Sequence, residues 1–425
     1  MEKHTKTRRG ISPVQRSRRV AIAPAEALAI VIVLSAARAA RPAAMPLEQA
    51  FGCRLGQLVR ADRDQPARDR SAMDGYAVIA SDLADPPAEL TCIGELPAGQ
   101  APTLAVRPGT CLAVLTGSCI PRRADAVVPV EQTRRVGDTV TFLTRPDVGE
   151  NIRRRGEEAR RGTVLLQARR LIGAPEAGVC AMTGLANPKV YPRPTVAILC
   201  TGSGVKRPAD RVQGHQLRDS NGPALLAALH RLHIPATGPT LVPDDPHAIA
   251  AALRRALQAA RVVIITGGVS VGTYDFVPDV VRAIGGRVRF HGVDMKPGQP
   301  QLYATARGGR HLFALPGNPL GAMTGFFELV LPGLRALGGA PPEDCAPSRR
   351  LPLLQPARSR GKRMYFALAR LVAGPDGEGL EPVRSVGSAD LIAACAADGV
   401  IAIPPGVKEI PAGQIVDFHS WRPAW

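Results

Sequence analysis

The chain has 425 residues, of which 45% are hydrophobic and 21% are charged. This length exceeds what one hydrophobic core normally spans, so we expect about two to four domains; a peptide, a small disulfide module or a single minimal domain is excluded. The near-average globular composition excludes wholesale disorder. Aromatic residues make up only 4% of the chain, which leaves little material for stacking the bases of single-stranded nucleic acid.

The formal net charge is +18, and residues 1–20 contribute +6 of it through seven Lys and Arg against one Glu. A basic balance of this size suits nucleic acid, anionic lipid or an anionic small molecule equally well, so the positions of the charges must decide among them. Residues 1–19 lack hydrophobic periodicity, and we expect a disordered basic leader there. Because only charge favours nucleic acid, no nucleic-acid partner is expected.

The cysteines and the N-terminal apolar segment both point to a cytoplasmic protein. The eight cysteines show no C-x-x-C pair and no Cys/His ligand spacing, so we interpret them as reduced, buried thiols. Residues 20–40 follow a basic start and imitate a secretory signal, but Glu26 interrupts the apolar run. The uncharged stretch at 27–37 is too short to span a membrane, which favours a helix in a folded domain and no membrane association.

The N-terminal half of the chain changes character twice. Apolar residues recur at helical spacing over residues 25–33 and 47–58. Between residues 71 and 145, short apolar runs separated by Gly, Pro and Asp predict strands and turns. We therefore predict a β-rich domain inserted into a helical and extended linking domain. The predicted bounds are 67–160 for the β-rich domain, and 20–66 with 161–192 for the discontinuous linking domain.

From residue 193 onward, strand and helix patterns alternate. Residues 195–200 form a near-continuous apolar run typical of a buried parallel strand, and a second such run at 261–266 leads directly into Gly267. The alternation predicts an α/β layer domain over residues 193–337. Its other predicted elements are helices at 224–232, 245–260, 280–284 and 319–337, and extended segments ending at 242 and spanning 288–293 and 311–315.

Short β-like runs resume after a Gly- and Pro-rich segment at residues 338–347. They predict a small C-terminal β-barrel domain over residues 338–425. The predicted fold class is therefore multidomain, α/β plus β.

The turns that follow the strands of an open α/β sheet are where ligands bind, so they are the first candidates for a site. Residues 267–272 (GGVSVG) offer backbone N–H groups and a hydroxyl, and either bind a phosphate or form a tight structural turn. The run is not G-x-G-x-x-G and lacks a P-loop lysine, which disfavours a dinucleotide site and an ordinary NTPase.

Two further loops carry candidate binding residues. Residues 316–319 (PGNP) stand between a strand and a helix, with Asn318 available as N-cap and Pro319 at the first helical position. This run is either only a helix start or part of the site. Lys296 lies in a rigid Lys-Pro-Gly loop that could hold its ammonium against an oxyanion, although a lone lysine there would usually be solvated.

Carboxylates accompany these turns. Because Mg²⁺ near phosphates is usually held by one or two carboxylates plus substrate oxygens, Asp244 and Asp275 are candidate metal ligands. Either Asp244 or Asp245 could equally be the N-cap of the helix predicted at 245–260.

Taken together and in this order, the motifs resemble the molybdopterin molybdenumtransferase family, which includes MoeA-type bacterial enzymes and the matching domain of gephyrin. The resemblance covers about residues 21–425. The motifs that carry it are residues 71–77 (SAMDGYA), 116–117 (TG), 151–157 (NIRRRGE), 267–272, 296–298 (KPG) and 316–319.

The resemblance implies an elongated homodimer of four-domain subunits. The α/β domain of one subunit and the β-rich domain of the other would form a shared cleft, with the linking domain at the dimer interface. The implied reaction takes adenylylated molybdopterin and molybdate, cleaves the pyrophosphate linkage, releases AMP and leaves molybdenum on the dithiolene sulfurs. Mg²⁺ is the implied metal. A molybdopterin adenylyltransferase and molybdoenzyme maturation factors are candidate partners.

The resemblance also implies roles for individual residues. The implied catalytic residues are Asp74, Thr116, Asp275 and Lys296, and Mg²⁺ would be held by Asp244 and Asp275. An arginine run in a random protein is mostly a solvated basic loop, but the NIRRRGE context implies a cradle for the anionic substrate. The implied binding residues are Arg153, Arg154, Arg155, Gly267, Gly268, Ser270, Gly272, Pro316, Gly317, Asn318, Pro319 and Ser388.

Three motifs depart from the family pattern and leave alternatives open. T-G-D-E is here Thr201-Gly-Ser-Gly204, K-P-G-K ends in Gln299, and D-T-N reads D-S-N at residues 219–221. Losing a carboxylate and a lysine changes what the cleft binds. A paralogue that carries molybdopterin or its cofactor without turnover is therefore an alternative. An adenylyltransferase acting on the pterin is another, but the β-rich and C-terminal domains disfavour it.

Overall fold

The computed structural model describes residues 21–270, 275–359, 361–374 and 377–422. The chain divides into two compact units. The α/β unit contains the chain up to Ala43, Gly52–Arg54 and the chain from Tyr191 onward, and the β-rich unit contains Ala44–Phe51 and Leu55–Val190. The predicted leader at residues 1–19 lies outside the described residues.

A six-stranded sheet forms the centre of the α/β unit. Four neighbouring strands are parallel, and the last two are antiparallel to their neighbours. The central strand residues Val262, Val263, Ile264 and Ile265 are completely buried, which is why this segment reads as an unbroken apolar run. In spatial order the strands are Ala236–Val242, Val196–Thr201, Val262–Thr266, Arg310–Leu315, Leu302–Ala306 and Arg287–His291.

Helices cover both faces of this sheet, because its strands are apolar on both sides. One face packs against Pro24–Ala36, Asn221–Arg231 and the long helix that begins at Pro319, and the other packs against Pro246–Ala259 and Val277–Ala283. The long helix comprises Pro319–Gly325, a π-helical turn at Phe326–Val330, and Leu331–Leu337.

Two apolar helices of the α/β unit are core helices. Among the described residues, the helix 319–337 is long and apolar enough to cross a membrane, but it is mostly buried inside the unit. Pro24–Ala36 buries Ala27 and Val31, and packs so closely on the long helix that a Cβ added to Gly333 would lie 2.8 Å from Val31 Cγ1. The N-terminal apolar segment therefore forms part of this core.

The C-terminal segment adds a second sheet to the α/β unit, with its own apolar cluster that includes Leu353, Ile401 and Phe418. Met364–Gly374 lies between Met295–Lys296 and Gly399–Ile403, and also pairs with Gly377–Pro382. The remaining strands of this sheet are Ile415–Ser420 and Arg349–Pro352. The smaller elements of the unit are the strand pairs Val205–Lys206 with Leu217–Arg218 and Ala357–Arg358 with Glu409–Ile410, and the short helices Arg307–Gly309, Pro342–Cys345 and Leu391–Cys395.

The β-rich unit is built around a six-stranded sheet whose core includes Tyr76, Cys111 and Phe142. In spatial order its strands are Ala126–Pro129, Gly75–Val78, Thr110–Val114, Ala88–Leu96, Thr139–Phe142 and Thr133–Val136. Its other elements are the strand pairs Arg70–Ser71 with Ile152–Arg153 and Val59–Arg60 with Val164–Leu166, the helix Ala174–Met182, and the 3₁₀ turns Leu47–Gln49, Ala80–Leu83 and Val130–Gln132. Short strands at Ala43–Ala44, Arg54–Leu55 and Lys189–Tyr191 mark where the chain passes between units.

The helix predicted over residues 47–58 is wrong. The structure has only the 3₁₀ turn Leu47–Gln49 there, followed by the two-residue strand Arg54–Leu55. Gly52 adopts a φ of +70°, a left-handed conformation that a right-handed helix cannot continue through. The apolar residues on either side of Gly52 therefore have helical spacing in the sequence but belong to two different elements.

Candidate functional site

The strand order places a switch point next to the central strand Val196–Thr201. From this strand the chain first crosses to Ala236–Val242 on one side and later to Val262–Thr266 on the other. Such a reversal opens a crevice beyond the carboxyl ends of the strands, where α/β proteins bind ligands. The predicted turns at 267–270 and 316–319 both leave strands at this edge.

Close packing explains why the first residue of the 267–270 turn is a glycine. Gly267 adopts a φ of +85°, and a Cβ added to it would lie 2.7 Å from both the carbonyl and the hydroxyl oxygen of Thr201. Gly268 has a φ of +61°. The turn is tied to the next strand because the Gly267 N–H donates to the Leu315 carbonyl at 3.0 Å. Ser270 is exposed at the end of the described turn, and Gly272 lies outside the described residues.

The PGNP turn is linked to the C-terminal segment through Ser388. Asn318 stands at the N-cap position, but its side chain does not cap the helix as predicted. Its amide instead donates to the Ser388 hydroxyl at 2.9 Å, and the Leu320 N–H donates to the Ser388 carbonyl at 3.0 Å. Pro319 begins the helix, as predicted. The structure thus brings together Asn318 and Ser388, which lie 70 positions apart in the sequence.

Asn221 is a site-adjacent residue that sequence reasoning did not assign. Its amide donates to the Gly317 carbonyl at 2.9 Å and so holds the PGNP turn in place. The side chain is buried, and its Oδ1 has no hydrogen-bond partner among the described residues. The D-S-N motif at residues 219–221 is the sequence signal for this residue, but the motif alone does not predict that Asn221 contacts the PGNP turn.

The two adjacent aspartates after Val242 have different contacts. Asp245 is the N-cap, because its carboxylate accepts from the Ala248 N–H at 2.7 Å. Asp244 instead accepts from the Ser203 N–H at 2.8 Å, while its own N–H donates to the Ser203 hydroxyl at 3.1 Å. Asp244 therefore lies against the segment in which this chain departs from the family pattern.

Asp275 and Lys296 reach the region by separate loops. The Val277 N–H donates to the Gly268 carbonyl at 3.1 Å, which returns the chain to the glycine turn two residues after Asp275. Lys296 is exposed on the short strand Met295–Lys296, which pairs with Met364–Tyr365 of the C-terminal segment. The Gln301 amide supports this loop by donating to the Gly298 carbonyl at 2.6 Å.

In the β-rich unit, Asp74 and Thr116 form one hydrogen-bonded pair. The backbone N–H and the hydroxyl of Thr116 donate to the same Asp74 oxygen, at 2.6 and 2.7 Å. These two bonds favour the ionised form of the exposed carboxylate and so lower the pKa of Asp74. The structure therefore brings together two of the four predicted catalytic residues within one unit.

The three predicted binding arginines are each paired with carboxylates of the β-rich unit. Arg154 Nη1 lies 3.1 Å from Asp69 Oδ2, and Arg155 Nε lies 2.6 Å from Asp64 Oδ2. Arg153 pairs with Glu157 and Glu158. All three side chains are about half exposed, at 49%, 51% and 65% for Arg153, Arg154 and Arg155. They are consecutive at the end of the short strand Ile152–Arg153 and in the turn that follows it, but local carboxylates partly neutralise their charge.

The described residues contain no group of three or more His, Cys, Asp or Glu side chains arranged to hold a metal ion. A closed all-protein metal cage is therefore absent from the described part of the chain. A Mg²⁺ ion that shares one or two carboxylates with substrate oxygens needs no such cage. Asp244 fits this second type, because its Oδ1 makes no hydrogen bond to another described residue.

Fold and candidate site together define a class of protein: a multidomain α/β plus β protein whose candidate ligand site lies beyond the carboxyl ends of a sheet covered by helices on both faces. The chain matches three family models along most of its length. These are the MoeA N-terminal region (domain I and II) at residues 22–184, the probable molybdopterin binding domain at 197–336, and the MoeA C-terminal region (domain IV) at 350–421.

Similar proteins cover nearly the whole chain. Molybdopterin molybdenumtransferase 2 of Mycobacterium tuberculosis is 34% identical over 392 residues, which span 90% of this chain and 96% of that protein. Molybdopterin molybdenumtransferase of Staphylococcus aureus is 30% identical over 88% of this chain and 89% of its own length. A molybdopterin biosynthesis MoeA protein from Pyrococcus horikoshii has a similar structure, with a TM-score of 0.78 and 26% identity over 94% of this chain and all of that chain.

The chain belongs to the molybdopterin molybdenumtransferase family, and it is a transferase of molybdenum cofactor biosynthesis. The resemblance stated from the sequence motifs, the multidomain α/β plus β fold class and the enzyme class are thereby confirmed. The roles of individual site residues stay predictions.

Proposed function

We propose that this protein inserts molybdenum from molybdate into adenylylated molybdopterin and releases AMP. The observation that carries the proposal is the set of contacts that gathers the glycine turn, the PGNP turn and Ser388 at the switch point of the sheet. Membership of the molybdenumtransferase family supplies the reaction.

The contribution of the protein to this reaction is to bind and orient an anionic substrate. In this proposal the Ser270 hydroxyl and the backbone N–H groups that follow Gly267, whose own N–H bonds to Leu315, stabilise developing charge on phosphate oxygens. Such stabilisation is the main help that a protein gives to phosphoryl chemistry. Lys296 adds a point charge from the neighbouring loop. Asn221 holds the Gly317 carbonyl, so the PGNP turn presents a fixed surface to the substrate.

Asp244 and Asp275 are the residues that would hold Mg²⁺. When bound, the ion neutralises charge on the pyrophosphate linkage and so favours departure of AMP. Asp244 is suited to this role because the Ser203 N–H orients one carboxylate oxygen and leaves the other for a cation. Asp245 is unsuited, since its carboxylate caps the helix Pro246–Ala259.

We further propose that the protein is a cytoplasmic homodimer in which Asp74 and Thr116 act on the substrate held by the α/β unit of the partner chain. The hydrogen bonds from Thr116 lower the pKa of Asp74 and fix its orientation, which suits a group that must act on a bound substrate without moving. An adenylyltransferase that supplies the substrate and maturation factors that accept the product are the corresponding protein partners.

A carrier or scaffold that binds molybdopterin without turnover is the second candidate function. Ser203, Gly204 and Gln299 favour it, because they stand where the family has two acidic residues and a lysine. Ser203 makes two hydrogen bonds with Asp244: its N–H donates to the Asp244 carboxylate, and its hydroxyl accepts from the Asp244 N–H. The segment therefore contributes hydrogen bonds where the family has negative charge.

The experiment that separates the two functions is AMP release from adenylylated molybdopterin by purified protein with Mg²⁺ and molybdate. We expect release in the wild type and its loss in Asp275→Ala. Asp279→Ala is the matched control, because Asp279 is 65% exposed and its one ion pair among the described residues is with Arg282 on the same helix. Tight substrate binding without AMP release would establish the carrier. Consumption of ATP with molybdopterin would instead identify an adenylyltransferase.

Mixed dimers test the shared site. If Asp74 serves the partner chain, Asp74→Ala and Asp275→Ala proteins each lose most of their activity, and heterodimers of the two regain activity at one of their two sites. Recovery should approach half of the wild-type rate per heterodimer. Heterodimers that stay inactive would contradict the shared site without affecting the AMP-release result.

A further inference from the structure

Three arginines lie at the amino edge of the α/β sheet, the edge opposite the switch point, where the Arg261 side chain contacts the backbone of Arg38. Arg38 follows the helix Pro24–Ala36, Arg261 directly precedes the strand Val262–Thr266, and Arg310 begins the strand Arg310–Leu315. Because Val262 and His311 are partners in the parallel register, Arg261 and Arg310 occupy neighbouring positions at the strand ends. We call these three residues the amino-edge arginine cluster.

One tight turn brings two of the guanidinium groups together. A Cβ added to Gly309 would lie 3.1 Å from Arg261 Nη2, and one added to Gly308 would lie 3.9 Å from Arg310 Nε. Arg261 Nη1 donates to the Gly308 carbonyl at 2.9 Å. Both side chains therefore flank the same Gly-Gly turn.

The acceptors that hold this cluster are neutral. Besides Gly308, Arg261 donates to the Arg38 carbonyl, and Arg310 Nη1 donates to the Ala260 carbonyl at 2.7 Å. Among the described residues, no carboxylate forms an ion pair with Arg38, Arg261 or Arg310. Each guanidinium has five N–H donors, so Arg261 and Arg310 both keep donors for a further acceptor.

The uncompensated charge also acts on the buried residues beneath. Burial and the charges of Arg310 and Arg38 lower the pKa of Arg261. Burial and the charges of Arg261 and Arg38 lower the pKa of His311 to about 4. His311 is completely buried, its Nδ1 is 2.8 Å from the Tyr303 hydroxyl, and its Nε2 has no partner among the described residues.

We propose that the amino-edge arginine cluster binds a small tetrahedral oxyanion of the phosphate type, at a second site separate from the one at the switch point. Guanidinium groups match the oxygens of such an anion with paired N–H donors, and carbonyl contacts already hold two of them in place. A doubly charged anion would also offset the like charges that the fold has packed side by side. The inference does not depend on the proposed transferase reaction.

The test is phosphate binding to the full-length protein, measured by calorimetry at low ionic strength with inorganic phosphate as the probe. We expect Arg261→Gln/Arg310→Gln to weaken one class of phosphate sites about tenfold or more. Arg358→Gln is the matched control, since that arginine is exposed, already paired with Glu409 and outside both sites. Lys296→Gln should leave the amino-edge site unchanged, because it removes charge only from the other edge.

Arg38→Gln keeps the test decisive if the double variant folds poorly. The Arg38 side chain makes no hydrogen bond to another described residue, and Arg261 uses only its backbone carbonyl, so this change removes charge and leaves that contact intact. A weaker phosphate affinity in Arg38→Gln supports the site. Phosphate binding equal to wild type in both Arg38→Gln and a folded double variant overturns it.

A second titration distinguishes a free oxyanion from the phosphoryl group of a nucleotide. If AMP binds at the cluster about tenfold more tightly than phosphate, and Arg38→Gln weakens both, the site takes a nucleotide phosphate. Equal affinities with the same dependence on Arg38 identify a free oxyanion. AMP binding that depends on Lys296 and not on Arg38 would assign the nucleotide to the switch-point site and leave the cluster with phosphate alone.

Discussion

The α/β unit and the β-rich unit hold their candidate site residues by different means. At the switch point the turns are fixed by close packing. At Gly267, for example, an added Cβ would lie 2.7 Å from two oxygens of Thr201. In the β-rich unit the candidates are exposed side chains tied by hydrogen bonds and ion pairs, as in Asp74 with Thr116. Substitutions in the first group should therefore damage the fold, whereas those in the second should damage only the chemistry.

Two glycines with the same φ offer the strongest test of this contrast. Gly267 and Gly99 both have a φ of +85°, but a Cβ at Gly267 would lie 2.7 Å from Thr201 oxygens, while Gly99 has nothing within 4 Å. We expect Gly99→Ala to cost about 1 kcal/mol of unfolding free energy from backbone strain alone, and Gly267→Ala about 3 kcal/mol or more. Urea unfolding of both variants measures the difference. Equal losses would mean that the Thr201 contact does not constrain the turn.

Asp74 should show the opposite behaviour. We expect Asp74→Ala to lower the rate of AMP release about 100-fold, because an ionised, oriented carboxylate is lost, and to leave the urea midpoint unchanged, because the side chain is exposed. Asp138→Ala, which removes an 84% exposed carboxylate of the same unit, should change neither. A large shift of the urea midpoint in Asp74→Ala would show that the pair is part of the fold.

The sequence predicted the α/β elements well because their apolar runs are buried on both faces, as in Val262–Thr266. It predicted the turns at 267–270 and 316–319 because strands and helices bracket them. It did not predict that Asn318 bonds to Ser388, or that Asn221 supports Gly317, since such contacts depend on the folding of segments distant in sequence. Nor could a count of arginines separate Arg153, Arg154 and Arg155, which carboxylates partly neutralise, from Arg261, which carbonyls hold.

A partly buried ion pair is intermediate between the buried turns of the α/β unit and the exposed side-chain pairs of the β-rich unit. His419 Nδ1 of the C-terminal sheet is 2.6 Å from Glu328 Oε2 in the π-helical turn, and the Glu328 side chain is 11% exposed. Burial alone would lower the pKa of His419, but the hydrogen bond and charge of Glu328, together with Asp417, outweigh it and raise the pKa.

This raised pKa fixes the sign of a pH dependence. The pair stabilises the fold fully below the unfolded-state pKa of about 6.5, and the contribution is lost as the pH rises through the higher folded-state value. We expect His419→Gln to cost about 1 to 2 kcal/mol at pH ~6 and much less at pH ~9. Urea unfolding at the two pH values measures this. A cost that is the same at both would mean that packing, and not charge, joins the two residues.

Substitutions in the arginine run should give the smallest effect on stability. They also test whether Arg154 of the β-rich unit is a binding residue or a structural one. Arg154 and Asp69 are 51% and 37% exposed, so water and salt screen their attraction, and we expect a coupling of about 0.5 kcal/mol or less. A double-mutant cycle of Arg154→Gln and Asp69→Asn, unfolded in urea at ~0.05 M and ~1 M NaCl, measures the coupling and its salt dependence. A weak, screened pair can exchange Asp69 for an anionic substrate at little cost, which a cradle requires. A coupling well above 1 kcal/mol that salt does not reduce would instead make Arg154 a structural residue, fixed as firmly as the turns of the α/β unit.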